Sequence, residues 1–293
     1  SYFQLIFKKM KNVIISRNGP DSLHEEWLKN SDSKNWDLIL LFYEEQSFNR
    51  LNNPDVKAYF YPGGKWETYY KFLIDHPEIL ENYEFFWFAD DDISIEGNHI
   101  SKMFNLMTHY DLDIAQPALS LDSYFSFLIT IQCESFKIRF SNFVEIMAPC
   151  LRDTIVKEML PYFEDQFTGM GLDSIWTYKT RKEPNKMAIF DEVVMTHTRP
   201  VGGPLQQKLK EKNITFKEEI SSNLDKLNIN QVKPIIFSAI DHKNNFIKKG
   251  QVTNIMAREY FYKRKRFKDN RKILSRIWRM IKYHRIYRIK NNF

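Results

Sequence analysis

Three carboxylates in a row, Asp90, Asp91 and Asp92, follow the apolar run Phe85–Ala89. Like charges this close repel, and each needs water or a cation. Two readings stand: an acidic surface turn, or a divalent-cation site at the mouth of a sheet. Mn²⁺ and Mg²⁺ seek oxygen ligands, so carboxylates suit them. His197 follows the apolar Val193–Met195 and is either a further ligand or a structural hydrogen-bonder. Arg199, two residues on, is either a bidentate partner for a diphosphate or half of a surface ion pair. Lys65 and Trp66 follow Gly63 and Gly64, a turn that lets backbone approach a ligand. They read either as a phosphate contact and a stacking platform or as a hairpin turn and a core tryptophan.

Two further acids sit in unusual company. Asp173, in GMGLD, opens a helix after a glycine-rich loop, where it serves either as a general base or as a helix cap. Glu145 lies inside the apolar FVEIMAP, and a buried unpaired carboxylate is costly, so it must meet a cation, a hydroxyl or an acceptor. Asp122 and Ser123, in SLDSY, and Asp37, just before an apolar strand, are further polar candidates. Arg17 ends the first apolar run.

The elements that must position these groups alternate. Strands are expected at 11–19, 36–45, 58–66 and 83–92, with helices at 22–30 and 67–80 between them. Further on, the pattern predicts a helix over 98–112, strands at 113–120, 123–132 and 141–151, and helices over 152–163 and 167–180. A last strand from 187 runs into a glycine-rich loop ending at 203. Alternation of this kind predicts an α/β fold with a mostly parallel sheet flanked by helices, whose ligands bind beyond the carboxyl ends of the strands. Arg17 and the aspartate triplet both fall at such ends.

A strand ending in D-x-D, a later loop acid and a still later histidine resemble the GT-A class of nucleotide-sugar glycosyltransferases. More closely, the stretches SLHEEWL, NWDLIL, PGGKW, FFWFADDD, IAQPALSLDSY, FVEIMAP, GMGLDSIW and THTRPV resemble, in order, a plant and bacterial family known as domain of unknown function seven hundred and seven. The resemblance covers roughly residues 12–203. It implies a metal-dependent transferase using a nucleotide-sugar donor, more readily a UDP- or GDP-sugar. In the resembling enzymes Asp92 would bind Mn²⁺ or Mg²⁺ directly and Asp90 would bind the ribose, or the metal through water. Asp91 would meet the donor sugar, or take the ligand role if the register shifts by one. His197 would be the third ligand, Arg17 would hold the nucleotide, Asp37 would contact its base, Asp122 and Ser123 would line the acceptor side, and Asp173 would be the base of an inverting reaction.

The 293 residues suit one large α/β domain or one with an appendage. We place a catalytic domain at 1–203, its extension at 204–257 and a basic tail at 258–293. That tail carries 14 Lys and Arg against 2 Asp and Glu, a net +12, and the rest of the chain sums to −6. In it Ile273, Leu274, Ile277, Trp278 and Ile281 recur at helical spacing. It reads as an element on an anionic membrane surface, a helix packed on the body, or a nucleic-acid arm. The acidic body disfavours the last. Two cysteines, Cys133 and Cys150, make no disulfide framework, so a reducing compartment is the default. No run of about 18 apolar residues and no cleavable signal is visible.

The expectation is thus an enzyme peripheral on the cytoplasmic face of a membrane, extending a glycan or lipid-linked acceptor of the lipopolysaccharide or capsule type. Two rivals remain: nucleotidyl transfer or sugar-nucleotide hydrolysis on the same fold, and a non-enzymatic membrane-bound glycan- or nucleic-acid-binding module.

Overall fold

A computed structural model describes residues 12–290 apart from 52, 55, 165, 201, 203–208 and 210–214. Strand β1 (Asn12–Asn18) is an apolar run buried along nearly its whole length, the pattern of a central parallel strand. It pairs in parallel with β2 (Trp36–Phe42) on one side and β4 (Phe85–Trp87) on the other, and β2 pairs in parallel with the edge strand β3 (Lys57–Phe60). The linking helices include α1 (His24–Trp27), α2 (Glu45–Arg50), α3 (Lys65–Asp75) and α4 (Glu78–Asn82). The helix expected over 67–80 is two helices, because Pro77 cannot continue α3.

The second half of the sheet is mixed. After the short β5 (Ile93–Ser94) and α5 (Gly97–His109) come β6 (Ile114–Leu119), β7 (Phe136–Ser141), β8 (Cys150–Arg152), α6 (Asp153–Phe163), α7 (Leu172–Thr180) and β9 (Met187–His197). The chain continues through α8 (Phe216–Asp225), β10 (Ile236–Asp241), β11 (Phe246–Lys248), α9 (Lys249–Lys263) and α10 (Ile273–Lys290). The sheet order is β11-β10-β7-β9-β6-β8-β4-β1-β2-β3. Here β6 and β9 are parallel, and β8, β7, β10 and β11 run antiparallel to their neighbours. The expected α/β class is what the structure has. Its parallel order holds for the β3-β2-β1-β4 half, where helices make the crossovers.

Alternate residues of β1 feed two cores. Ile14 belongs to the core that also takes residues of α5, α9 and α10, and Val13 and Ile15 belong to the core that takes residues of α3, α6 and α7. The C-terminal segment is therefore no appendage. Ile273, Ile277 and Met280 of α10 join the main core, and the Ile236 N–H donates to buried His284 Nε2 at 2.9 Å. Of the readings left open for the tail, packing on the body is observed for its inner face. Leu274 and Trp278 face outward.

Two expected strands are absent. Residues 123–132 form turns with a short 3₁₀ helix at Leu128–Thr130. Of 141–151, only Ser141, the last residue of β7, and the end from Cys150 lie in strands. Segment 142–149 instead runs beside the end of β4, with the Phe88 and Asp90 N–H groups donating to the carbonyls of Pro149 and Met147. Strand β7 was hidden by Lys137 and Arg139. Both cysteines are free and buried, and no helix among the described residues is long and apolar enough to cross a membrane.

Candidate active site

The triplet sits where parallel strands end. At the end of β1 and just beyond β4, Arg17 and Asp90 form an isolated parallel bridge. The three carboxylates then point to three different partners. Asp90 meets Lys65 Nζ at 2.8 Å. Lys65 is the first residue of α3 and also donates to the carbonyls of Ile146 and Met147 at 2.8 and 2.9 Å. Asp91 accepts from the Gly19 N–H at 2.8 Å and pairs with Arg199 at 3.2 Å. A Cβ at Gly19 would stand 2.0 Å from the Tyr43 hydroxyl, so a larger residue there would have to displace the Tyr43 ring.

Asp92 is set by sheet pairing. Strand β5 pairs antiparallel with the end of β9, matching Ile93 to His197. This brings Asp92 Oδ2 to 3.2 Å from His197 Nε2. His197 Nδ1 stands 2.9 Å from the Tyr124 carbonyl and therefore donates to it. Burial alone would lower the imidazole, but the hydrogen bond and charge of Asp92 outweigh it and raise it to about 9. Asp92 Oδ1 is buried and has no hydrogen-bond partner.

These groups line a cleft of about 320 Å³. Its other walls are Glu145–Met147, Phe167, Thr168 and Met170 of the glycine-rich loop, and Pro200 and Gly202. The loop is anchored from α8, where the Glu219 carboxylate accepts from the Thr168 and Gly169 N–H groups and the Thr168 hydroxyl at 2.9, 3.0 and 2.6 Å. Gly169 has φ +79°, and a Cβ there would stand 2.1 Å from the Trp66 ring.

Glu145 is the acid that faces this space without a cation. Burial pushes it up to about 7, opposed by His197 and reinforced by the charge of Asp173; its Oε2 has no partner. Burial also raises Asp173 to about 6, with the Ser174 N–H and hydroxyl drawing it back. Arg17 is held on the cleft by the Gly63 carbonyl, at 2.8 Å from Nε, and by the Tyr43 ring. Burial lowers its guanidinium from the ordinary value.

Eight of the expected residues therefore share the cleft: Arg17, Lys65, Asp90, Asp91, Asp92, Glu145, His197 and Arg199. The others do not line it. Asp37 stands opposite Val13, at the far end of the strands, and accepts from the Tyr83 hydroxyl at 2.5 Å, so it is no base contact. Trp66 is fully buried among Tyr69, Phe88, Phe163 and Trp176, a core residue and not a stacking platform. Asp122 is exposed on a turn. Ser123 is buried and accepts from the His197 N–H at 3.1 Å, supporting the histidine from behind. Asp173 is buried off the cleft wall, and its charge reaches Glu145. Sequence reading missed Tyr43, Ser126 and Glu219. Tyr43, directly after β2, carried a signal, because the next parallel strand also ends at this edge.

Among the described residues, no three His, Cys, Asp or Glu side chains stand as a ready-made metal-ligand group. The donor set nevertheless suits a hard divalent ion. Carboxylate oxygens and one imidazole converge, and Asp92 Oδ1 lacks a partner. A cation shared by Asp90 and Asp92 would take the place of Lys65 on Asp90.

The profile of a family described as a protein of unknown function, DUF707, matches residues 25–141. That span includes the aspartate triplet and ends before Glu145, Asp173 and His197. No curated protein matches the chain. Among solved structures, TarS 1–349 of S. aureus is similar at 11% identity and a TM-score of 0.47, covering 97% of this chain and 92% of that one. CMP:2-keto-3-deoxy-manno-octonic acid synthetase complexed with CTP is similar at 9% identity and a TM-score of 0.40, covering 70% of this chain and 99% of the other. Identities and scores this low transfer no residue's role.

Proposed function

We propose that the protein is a metal-dependent glycosyltransferase that moves a sugar from a UDP- or GDP-linked donor to a glycan or lipid-linked acceptor. The observation that carries this reading is the pairing of opposite chemistries in one cleft. The aspartate triplet, with its unpartnered Asp92 oxygen, suits a divalent cation, and Arg17, Lys65 and Arg199 suit phosphate oxygens. A sugar nucleotide needs both, because its diphosphate departs with added charge. Mn²⁺ or Mg²⁺ on Asp90, Asp92 and His197 would supply charge stabilisation to that leaving group.

The chain's own groups supply the rest. Arg17 and Arg199 bind the diphosphate, and Lys65 turns from Asp90 towards it. The acceptor oxygen forms its bond to the anomeric carbon as the bond from that carbon to the diphosphate breaks. The acceptor proton passes to the Glu145–Asp173 pair, entering at Glu145, the member on the cleft wall. Both acids are raised towards neutrality, where a base is most effective.

The test is calorimetric titration of UDP and GDP with and without Mn²⁺, on wild type and Asp92→Ala. We expect metal-dependent binding that the variant loses by at least 100-fold. Binding of neither nucleotide, or metal-independent binding unchanged in the variant, defeats the reading.

A further inference from the structure

Beside the cleft lies a wider cavity of about 670 Å³. The two share one wall residue, Ser126. Ser126 lines the cleft together with Glu145, the acid that faces it, and draws that carboxyl's pKa back down. The wider cavity lies between the turn at Phe127–Ile129, the segment 230–234 and one side of α10. Lys233, Arg276 and Arg279 stand on its walls, which include no Asp or Glu.

The three cations differ in how firmly they are engaged. Arg276 is fixed: it donates to the Phe125 carbonyl at 3.2 Å and pairs with Asp269 at 3.1 Å. Lys233 stands 6.0 Å from the Tyr283 ring, and neither it nor Arg279 is neutralised by a carboxylate among the described residues. The side-chain amides of Asn230 and Gln231 share the same walls. Unneutralised cations attract an oxyanion, amides hydrogen-bond hydroxyls, and an aromatic ring covers the C–H face of a sugar. The fold has no evident need of this charge, because the inner face of α10 is already satisfied by Ile273, Ile277 and Met280.

We propose that this cavity is the acceptor subsite and takes a glycan bearing carboxylate or phosphate groups, its terminal hydroxyl reaching Glu145 past Ser126. The proposal rests on the transferase reading. Its test is separate: trigalacturonate, its methyl ester, glucose 6-phosphate and neutral maltotriose are titrated into the full chain and into the Lys233→Ala/Arg279→Ala variant. UDP with Mn²⁺ is titrated into both proteins alongside.

We expect an anionic probe to bind at least tenfold more tightly than its neutral counterpart, with the variant losing that margin and keeping its UDP affinity. Preference for trigalacturonate marks a uronate acceptor, and preference for the phosphosugar marks a phosphorylated one. Equal binding of charged and neutral probes overturns the proposal, as does a variant that keeps the margin. A variant that loses UDP as well assigns the cavity to the donor and also overturns it. If UDP fails to bind wild type while the anion margin stands, it is the transferase reading that fails.

Discussion

Two charged clusters on this sheet have opposite fates. Arg139 and Asp191 are both fully buried and paired in two parallel hydrogen bonds of 2.7 and 2.8 Å. The guanidinium also donates to the carbonyls of Ile129 and Ile131, and Asp191 accepts from the Cys133 N–H. In the cleft, by contrast, Asp92 and Glu145 each keep a buried oxygen with no partner. A buried polar atom left unmade costs roughly 1–3 kcal/mol. The first cluster belongs to the fold. The second leaves capacity that a ligand can use.

The difference is sharpest when one partner is removed. Arg139→Leu strands Asp191 in the core, and breaking a buried pair this way costs about 3–5 kcal/mol. We expect urea unfolding to show that loss. Asp92→Asn should lose less, at most about 2 kcal/mol, because giving up the pairing with His197 is partly offset by no longer burying an unpartnered carboxylate oxygen, while it loses metal-dependent nucleotide binding. Equal stability losses in the two variants would erase the distinction.

How much of this was legible follows the same division. The triplet announced itself because three acids after an aromatic strand have few quiet explanations, and β1 and β2 were plain from unbroken apolar runs. Arg139 and Asp191 gave no such signal. A charged residue in a strand reads as a solvent face, and only the fold shows that the two meet across 52 positions. Glu145 was noticed as costly, but its apolar neighbours made it look like strand; they are buried because 142–149 lies against the end of β4. Asp37 was misplaced, and Trp66 stayed open between a stacking platform and the core residue it is, for a related reason. Proximity to a strand does not say which end of it faces the ligand, and a tryptophan after a glycine turn suits a core as well as a sugar.

Glu145 tests whether its burial serves chemistry at the expense of stability. Its ordinary value is 4.5, and in the fold it is raised to about 7. Below 4.5 the folded and unfolded chains both hold the proton. Between 4.5 and about 7 the unfolded chain releases it first, so stability from this group falls as pH rises through that window. Glu145→Gln should match wild type near pH 4 and exceed it by on the order of 2 kcal/mol at pH 8, measured with a chelator present. Transfer by the same variant should drop on the order of 100-fold. Asp173→Asn removes a charge that raises Glu145, so it should move the acidic limb of the pH–rate profile to lower pH. If Asp173→Asn abolishes the plateau and Glu145→Gln spares it, the proton enters at Asp173 instead.

The smallest effect concerns the outer face of α10, which the fold leaves unused. Trp278 and Leu274 are 63% and 55% exposed, and Phe261 and Tyr262 of α9 are 46% and 69% exposed. Arg271, Lys272, Lys282 and Arg285 flank the α10 pair in sequence. We propose that this face rests on an anionic membrane surface, with aromatic rings at the headgroup level and each well-placed cation contributing about 1 kcal/mol. Trp278→Ala should lower partitioning onto phosphatidylserine-containing vesicles about threefold to tenfold. Sedimentation with vesicles checks this, and raising the salt should weaken wild type further. Because Trp278 packs on nothing the core needs, its loss should leave unfolding within about 0.5 kcal/mol of wild type. Vesicle binding unchanged in Trp278→Ala would return this face to ordinary solvent-exposed surface. A matching loss of stability would mean that α10 uses both of its faces to fold.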